Sequence, residues 1–98
     1  MDDATLRSLL DALAATPDNA ALRVAVIRAM HDKSDRRAIE HIDGLNATAL
    51  STADRAFVGR VLLGAGAPTR ALGFVDNGTD PELLIVRARA LHALNDQP

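Results

Sequence analysis

One short pattern occurs twice in this chain and limits the folds that the chain can adopt. Lys33–Ile39 and Gly66–Leu72 both read as a turn, a helix start, and then an alanine followed by an aliphatic residue. A third copy begins at about Pro81, at a slightly shorter interval, with Ala88 at the small-residue position and Asn95 at the turn position. Periods of about 20–50 residues are typical of repeat architectures, whose units bury their apolar faces against one another. The chain is therefore expected to fold as a repeat array, with an unrelated helical bundle as the alternative.

Composition indicates that the repeated elements are helices. The chain has 19 alanines and 14 leucines, but only two phenylalanines and no tryptophan, tyrosine or cysteine. Alanine and leucine are strong helix formers, whereas the aromatic and β-branched residues that strands favour are scarce. We therefore predict an all-α fold of about six helices joined by short turns.

Capping residues and prolines mark where the predicted helices begin and end. Thr16-Pro17 ends the first helix, which runs from about Asp3 to Ala15, and Gly64-Ala65-Gly66 ends the fourth. The expected caps and first-turn residues of the later helices are Asp18 or Asn19, Ser34, Ser51 with Asp54, Pro68, and Asp80 with Pro81 and Glu82. The third helix is expected to run through Ala38, Ile39, Ile42 and Leu45, and Asp76–Thr79 is expected to form a turn.

Apolar spacing predicts which helix faces are buried. The second helix, about Ala20 to His31, is apolar nearly all round, so neighbours are expected on more than one side. The apolar residues of the first helix are Leu6, Leu9, Leu10 and Leu13. Those on the predicted buried face of the fourth helix are Phe57, Val58, Val61 and Leu62. Those of the sixth helix are Leu83, Leu84, Val86, Leu91 and Leu94. The sixth helix looks like the first half of a third pair without its partner. The short fifth helix cannot cover all of Leu84, Leu91 and Leu94, so an apolar stripe is expected to remain near the C-terminus.

Helix pairs at this period resemble the tetratricopeptide repeat, whose pattern places small residues where paired helices touch. Ala38, Gly59, Gly66 and Ala71 fit that pattern. The large aromatics of the consensus are missing, Lys33 replaces the turn glycine, and Gly78 stands where alanine is usual. The resemblance implies a right-handed stack of antiparallel α-hairpins in one domain, 1–98. Its expected parts are a leading helix (1–16), repeat 1 (17–50), repeat 2 (51–79) and the first helix of an incomplete repeat 3 (80–98).

The opening of the chain carries a narrower resemblance. Leu6–Asn19, followed by Leu22-Arg23, is similar to the N-terminal repeat region found ahead of the ATPase module in some bacterial AAA+ proteins. The similarity implies a recruiting domain with no nucleotide site of its own. Ten arginines against one lysine fit a bacterial source of high GC content.

No group of residues in the sequence forms a recognisable catalytic, cofactor or metal motif. His31, His41 and His92 lack the spacing that places two ligands on one helix face, and no cysteine completes a zinc site. The glycines of 64–67 lack the lysine and the preceding strand of a phosphate-binding loop. The carboxylates of Asp32 and Asp35 lie in a polar turn, where capping and solvation account for them. We therefore expect no enzyme activity, no cofactor and no metal.

Charge and hydropathy exclude further classes of function. The formal net charge is −2 and the sequence pI is about 5.8, whereas nucleic-acid binders usually carry a basic footprint. The start of the chain is acidic and unlike a signal peptide, and no segment approaches the ~20 apolar residues of a membrane span. The expectation is a cytoplasmic protein that binds neither nucleic acid nor membrane.

A protein or peptide partner is the remaining expectation. The tetratricopeptide resemblance implies that the second, fourth and sixth helices line a concave binding face. The candidate residues on that face are Arg23, Ile27, His31, Arg60, Arg89 and His92. Their arginines favour an acidic partner, because guanidinium groups pair well with carboxylates; the alternative is that they only solvate apolar helices. A further alternative is a structural oligomerisation domain that self-associates through its C-terminal helix.

Overall fold

The described part of the chain is helical throughout. The computed structural model describes residues 3–34, 36–75 and 79–95, and these contain six α-helices and a short 3-10 segment but no strand. The predicted all-α class with six helices is confirmed. The chain divides into two compact units, Met1–Ala49 and Leu50–Pro98, called unit 1 and unit 2 below. The predicted turn at Asp76–Thr79 falls largely outside the described residues.

Unit 1 is organised around its second helix. Its elements are α1 (Asp3–Ala15), α2 (Ala20–Asp32), α3 (Ala38–Ile42) and a 3-10 segment (Ala47–Ala49). Helix α2 packs against both α1 and α3, as its nearly all-round apolar sequence predicts. Its buried residues are Val24, Val26, Ile27, Ala29 and Met30; Leu6 and Leu13 of α1 and Ala38 and Ile42 of α3 are also buried.

In unit 2 all three helices pack against one another. They are α4 (Thr52–Gly64), α5 (Pro68–Val75) and α6 (Pro81–Asn95). The predicted buried face of α4 is confirmed, because Phe57, Val58, Val61 and Leu62 are all buried. The core is completed by Ala56 and Gly59 of α4, Pro68, Ala71 and Val75 of α5, and Leu83, Val86 and Ala90 of α6.

Three helices begin in the same way, which gives them a common register. The backbone carbonyls of Asn19, Ser51 and Asp80 accept the first intrahelical bonds of α2, α4 and α6, at 3.0, 2.9 and 3.0 Å. The Asn19 and Ser51 side chains also accept bonds from the Leu22 and Asp54 N–H groups, as N-cap residues do. Counting from these three cap positions therefore gives the equivalent residues of α2, α4 and α6, and it is called the cap-based register below.

Helices α2 and α4 also end alike, which corrects one equivalence expected from the sequence. The residue two positions past each helix has a positive φ: +57° at Ser34 and +78° at Gly66. Each donates its N–H back to the helix, to the carbonyls of His31 and Leu63. In the cap-based register Ser34, and not Lys33, is the counterpart of Gly66. The expectation that Lys33 replaces the turn glycine was wrong by a single position, because matching the turns by sequence alone shifted the register.

The start and length of α3 were also predicted wrongly. Ser34 does not cap α3, because its left-handed conformation belongs to the end of α2, whereas an N-cap residue adopts an extended one. The helix begins at Ala38 after Arg37, which makes no side-chain capping bond, and it ends at Ile42. Leu45 therefore lies outside it.

A glycine lies where the three helices of unit 2 meet. A Cβ atom at Gly59 would come 2.8 Å from Val86 Cγ1 of α6 and 3.2 Å from Val75 Cγ1 of α5. The absence of a side chain at Gly59 therefore lets both helices approach α4. Near the start of α4, Thr52 Oγ1 donates to Asp80 Oδ2 at 3.2 Å. With contacts at both their beginnings and their middles, α4 and α6 run in the same direction.

Candidate partner-binding surface

The six candidate residues from the sequence fall into two groups by exposure. His31, Arg60, Arg89 and His92 are exposed on α2, α4 and α6. Arg23 is half-buried, and Ile27 is fully buried. Each unit thus offers basic or imidazole side chains to solvent, and two of the six candidates have a local structural role instead.

Arg23 ties the beginning of α2 to the end of α3. Its Nη2 donates to the carbonyl of Pro17 at 2.9 Å, and its Nη1 donates to the carbonyl of His41 at 3.4 Å. A side chain at Gly44 would meet the same guanidinium group. Carbonyls at a helix end attract cations because they carry the negative end of the helix dipole. These contacts account for Arg23 without a partner.

The Ile27 side chain is not accessible to a partner. Its exposed fraction is 0%, and it lies among the buried side chains of α2. In the cap-based register it corresponds to Gly59 of α4, which is also buried. Both residues belong to helix packing.

The cap-based register reveals an arginine that the sequence reasoning missed. Arg28, Arg60 and Arg89 each lie nine positions after a cap, and all three are exposed. The sequence analysis paired Arg60 with Arg89, as this register does, and it named Arg23 on α2 but not Arg28. An alignment of the helix caps, rather than of the turns, would have identified Arg28.

The large apolar side chains that are exposed among the described residues all lie on α6. Leu84, Ile85 and Leu91 have exposed fractions of 44%, 55% and 47%. Leu84 and Leu91 are exposed and Leu94 is half-buried, so the prediction that the three leucines are not all covered is confirmed. Ile85 was not predicted to be part of this stripe. It follows Leu84 directly, and helical spacing from the buried Leu83 and Val86 would have placed it on the outer side.

The spacing of these residues makes one continuous face, called the α6 face below. Leu84, Ala88 and Leu91 are separated by four and three positions, so they line up along the helix, with Ile85 beside them. Ala88 is exposed as well. The α6 face is defined here as Leu84, Ile85, Ala88 and Leu91, and the exposed side chains of Arg89 and His92 follow its apolar residues in sequence.

Two shallow depressions also lie on the surface of the described residues. One, of about 260 Å³ in unit 1, is lined by Pro17, Asp18, Ala20, Arg23, Gly44, Leu45, Asn46 and Ala49. The other, of about 500 Å³ in unit 2, is lined by Thr52, Ala53, Asp80, Pro81 and Glu82. The described residues contain no group of three or more histidine, aspartate or glutamate side chains placed to hold a metal ion. No helix in this part of the chain is long and apolar enough to cross a bilayer.

Comparison with known proteins assigns no relative. No protein-family model, no curated protein and no solved structure matches this chain. Its function is therefore inferred from the surface features described above.

Proposed function

We propose that this chain is a non-catalytic protein-interaction module of the tetratricopeptide type, which scaffolds or recruits a partner protein. The observation that carries the proposal is the α6 face. Leu84, Ile85 and Leu91 leave about half of their side-chain surface exposed, although the same helix buries Leu83 and Val86 completely or nearly so. Contiguous apolar surface of this kind marks sites of protein association.

The recurring arginines support an acidic partner for the same module. Arg60 and Arg89 are exposed at equivalent positions of α4 and α6, two helices that run in the same direction. An acidic segment could bridge them through bidentate hydrogen bonds. Surface ion pairs contribute about 0–1 kcal/mol each, so this part of the binding should be weak and should decrease with added salt.

The test is affinity capture from a lysate of the source organism, with the bound proteins identified by mass spectrometry. We expect at least one protein to be enriched by the wild type and lost with Leu84→Glu/Leu91→Glu. Ala53→Glu is the matched control, because it adds a carboxylate at an exposed position of α4. Circular dichroism checks that every variant is folded. Equal enrichment by wild type and by a folded Leu84→Glu/Leu91→Glu variant would remove the α6 face from the proposal.

The arginines are tested separately with Arg60→Glu/Arg89→Glu. Both side chains are exposed, so the fold should be unaffected while capture of an acidic partner is lost. Unchanged capture by the folded variant would leave the arginines with a solvating role alone.

A structural oligomerisation domain is the second candidate, and the same exposed α6 face favours it. In that case the α6 faces of two copies would pack against each other, as the matching surfaces of an isologous dimer do. Size-exclusion chromatography with light scattering distinguishes the two roles. A mass that doubles with concentration, and returns to the monomer in Leu84→Glu/Leu91→Glu, would favour oligomerisation.

A narrower form of the proposal is a recruiting domain of a bacterial AAA+ ATPase. It is motivated by the resemblance of Leu6–Asn19, which covers most of α1 and the turn after it. The genomic reading frame tests it directly. A Walker motif encoded downstream of Pro98 would support the ATPase context, and a stop codon with no ATPase module upstream would exclude it.

A further inference from the structure

The short helix α3 is held to its unit by fewer buried side chains than α5. Within unit 1 it packs against α2, whereas α5 packs against both α4 and α6. Helix α3 buries Ala38 and Ile42, and α5 buries Pro68, Ala71 and Val75. Because apolar burial is the main force that keeps a helix in place, α3 should leave its unit more easily than α5.

The ends of α3 add little to its stability. The helix has five residues, and Arg37 before it makes no side-chain capping bond. Isolated helices shorter than about 12 residues are marginal in water, because one or two turns do not offset the cost of starting a helix. Helix α3 therefore depends on the side chains that attach it to α2.

The guanidinium group of Arg23 supplies the polar part of that attachment. It bonds to the Pro17 carbonyl at 2.9 Å and to the His41 carbonyl, near the end of α3, at 3.4 Å. N–H···O bonds usually measure about 2.7–3.2 Å, so the bond to α3 is the weaker of the two. Gly44, just past α3, lies against the same group, because a Cβ atom there would come 3.0 Å from Arg23 Cζ. One side chain thus joins the beginning of α2 to α3 and to the segment after it.

We propose that residues 36–45, which include α3, open from α2 by local unfolding while α2 and unit 2 stay folded, and that Arg23 is the latch that limits this opening. Local openings of this kind occur where few buried contacts hold an element. The open form uncovers the part of α2 that Ala38 and Ile42 cover, so unit 1 has an apolar surface that is exposed only at intervals. This inference goes beyond the proposed function, because the opening requires no partner.

The test uses single cysteines as probes of opening, because the sequence contains no cysteine of its own. Ala38→Cys places a thiol on α3, and Ala71→Cys places the matched thiol on α5. The two alanines have exposed fractions of 3% and 0%, so a thiol-reactive reagent can reach either position only after an opening. We expect Ala38→Cys to be labelled at least about 100-fold faster than Ala71→Cys in the whole folded protein. Circular dichroism checks that both variants are folded.

The latch is tested by adding Arg23→Gln to each probe. Labelling of Ala38→Cys should become at least about tenfold faster, and labelling of Ala71→Cys should not change. Arg28→Gln, at an exposed position of the same helix, is the matched control and should leave both rates unchanged. If Arg23→Gln does not fold, Arg23→Lys takes its place, because an ammonium group lacks the fork of donors that spans two carbonyls.

Hydrogen exchange of the wild type distinguishes opening of α3 from unfolding of the whole unit. Amides of α3 should exchange at least about tenfold faster than amides in the middle of α2, after correction for their intrinsic rates. Equal protection of the two helices would overturn the inference, because unit 1 would then open only as a whole. Equal labelling of Ala38→Cys and Ala71→Cys would overturn it as well. Unchanged labelling of Ala38→Cys in a folded Arg23→Gln variant would reject Arg23 as the latch.

Discussion

Helix α2 of unit 1 and helix α4 of unit 2 match in length and in both ends, but they place residues of opposite size at one buried position. Each of these helices has 13 residues, an N-cap whose side chain accepts a backbone bond, and a positive-φ residue two positions past its end. Eight positions after the cap, however, unit 1 has Ile27 and unit 2 has Gly59. In unit 2 the missing side chain admits Val75 and Val86, so α4, α5 and α6 all meet there. The comparison teaches that helices with the same local frame can carry either a large buried side chain or none at the position eight residues after the cap.

The helices that follow α2 and α4, which are α3 and α5, differ in length. Helix α5 has 8 residues and begins with Pro68, which suits a first helical turn, whereas α3 has 5 residues and no side-chain cap. Helix α3 is held partly by Arg23, which bonds to the carbonyl of His41 near its end. In unit 2 a different arginine, Arg87 of α6, donates to the carbonyl of Val75 at the end of α5 at 2.9 Å. Both units therefore close a helix end with a guanidinium group, contributed from a different helix in each.

The largest expected effect tests the filled position of unit 1. Ile27→Ala should destabilise the protein by about 2–5 kcal/mol, because Ile27 is fully buried and its removal leaves a cavity. Ile85→Ala deletes the same atoms at a 55% exposed position and should change the free energy of unfolding by less than about 0.5 kcal/mol. Urea unfolding followed by circular dichroism measures both. Similar losses for the two variants would contradict the assignment of Ile27 to the core.

The second prediction tests close packing on the α5 side of unit 2. Ala71 has an exposed fraction of 0%, so Ala71→Leu should overpack the α4–α5 contact and cost about 1–3 kcal/mol. Ala65→Leu, in the exposed turn between the same helices, is the control and should be much milder. Thermal melts of the two variants give the order. If Ala65→Leu were the more damaging change, the packing of α5 on α4 would have to be revised.

The third prediction tests the open position at Gly59. Gly59→Ala gains helix propensity of about 1 kcal/mol, but the new Cβ would come 2.8 Å from a branched, buried valine, and overpacking costs about 1–3 kcal/mol. The net change should be destabilising. Gly73→Ala in α5 meets no atom within 4 Å and should stabilise by about 0.5–1 kcal/mol. Chemical denaturation measures the change in the free energy of unfolding, which should have opposite signs for the two substitutions. If both substitutions stabilised the protein, the assignment of Gly59 to a tight helix junction would be wrong.

The smallest expected effect concerns the two helix ends. Ser34→Gly should stabilise unit 1 by less than about 1 kcal/mol, because glycine adopts φ of +57° without strain but loses more entropy on folding. Gly66→Ala should destabilise unit 2 by about 1 kcal/mol, since its φ is +78°. Differential scanning calorimetry resolves shifts of this size. A destabilising Ser34→Gly would contradict the equivalence of Ser34 and Gly66.

Local signals predicted the helices well and failed where two signals competed for one residue. The bounds of α1, the caps Asn19 and Ser51, and the end of α4 at Gly64 all follow from side chains acting within one or two turns. Ser34 was misassigned because serine suits an N-cap, while here it ends the preceding helix in a left-handed conformation. Among the candidate residues, Arg23 makes contacts that reach Pro17 before α2 and His41 in α3, which no pattern within α2 reveals.

The sequence by itself determined the helical class, most helix boundaries and the uncovered stripe of α6, because capping, propensity and apolar spacing act over a few residues. Only the tertiary structure decided which of those helices meet and what fills the crossing. The space at Gly59 is limited by Val75 and Val86, which belong to the two helices that follow α4 in the chain. Contacts between separate helices depend on how whole helices pack, and no local pattern specifies them. The same packing covers Ala56 and Gly59 on α4 and leaves Ile85 and Ala88 on α6 open to solvent.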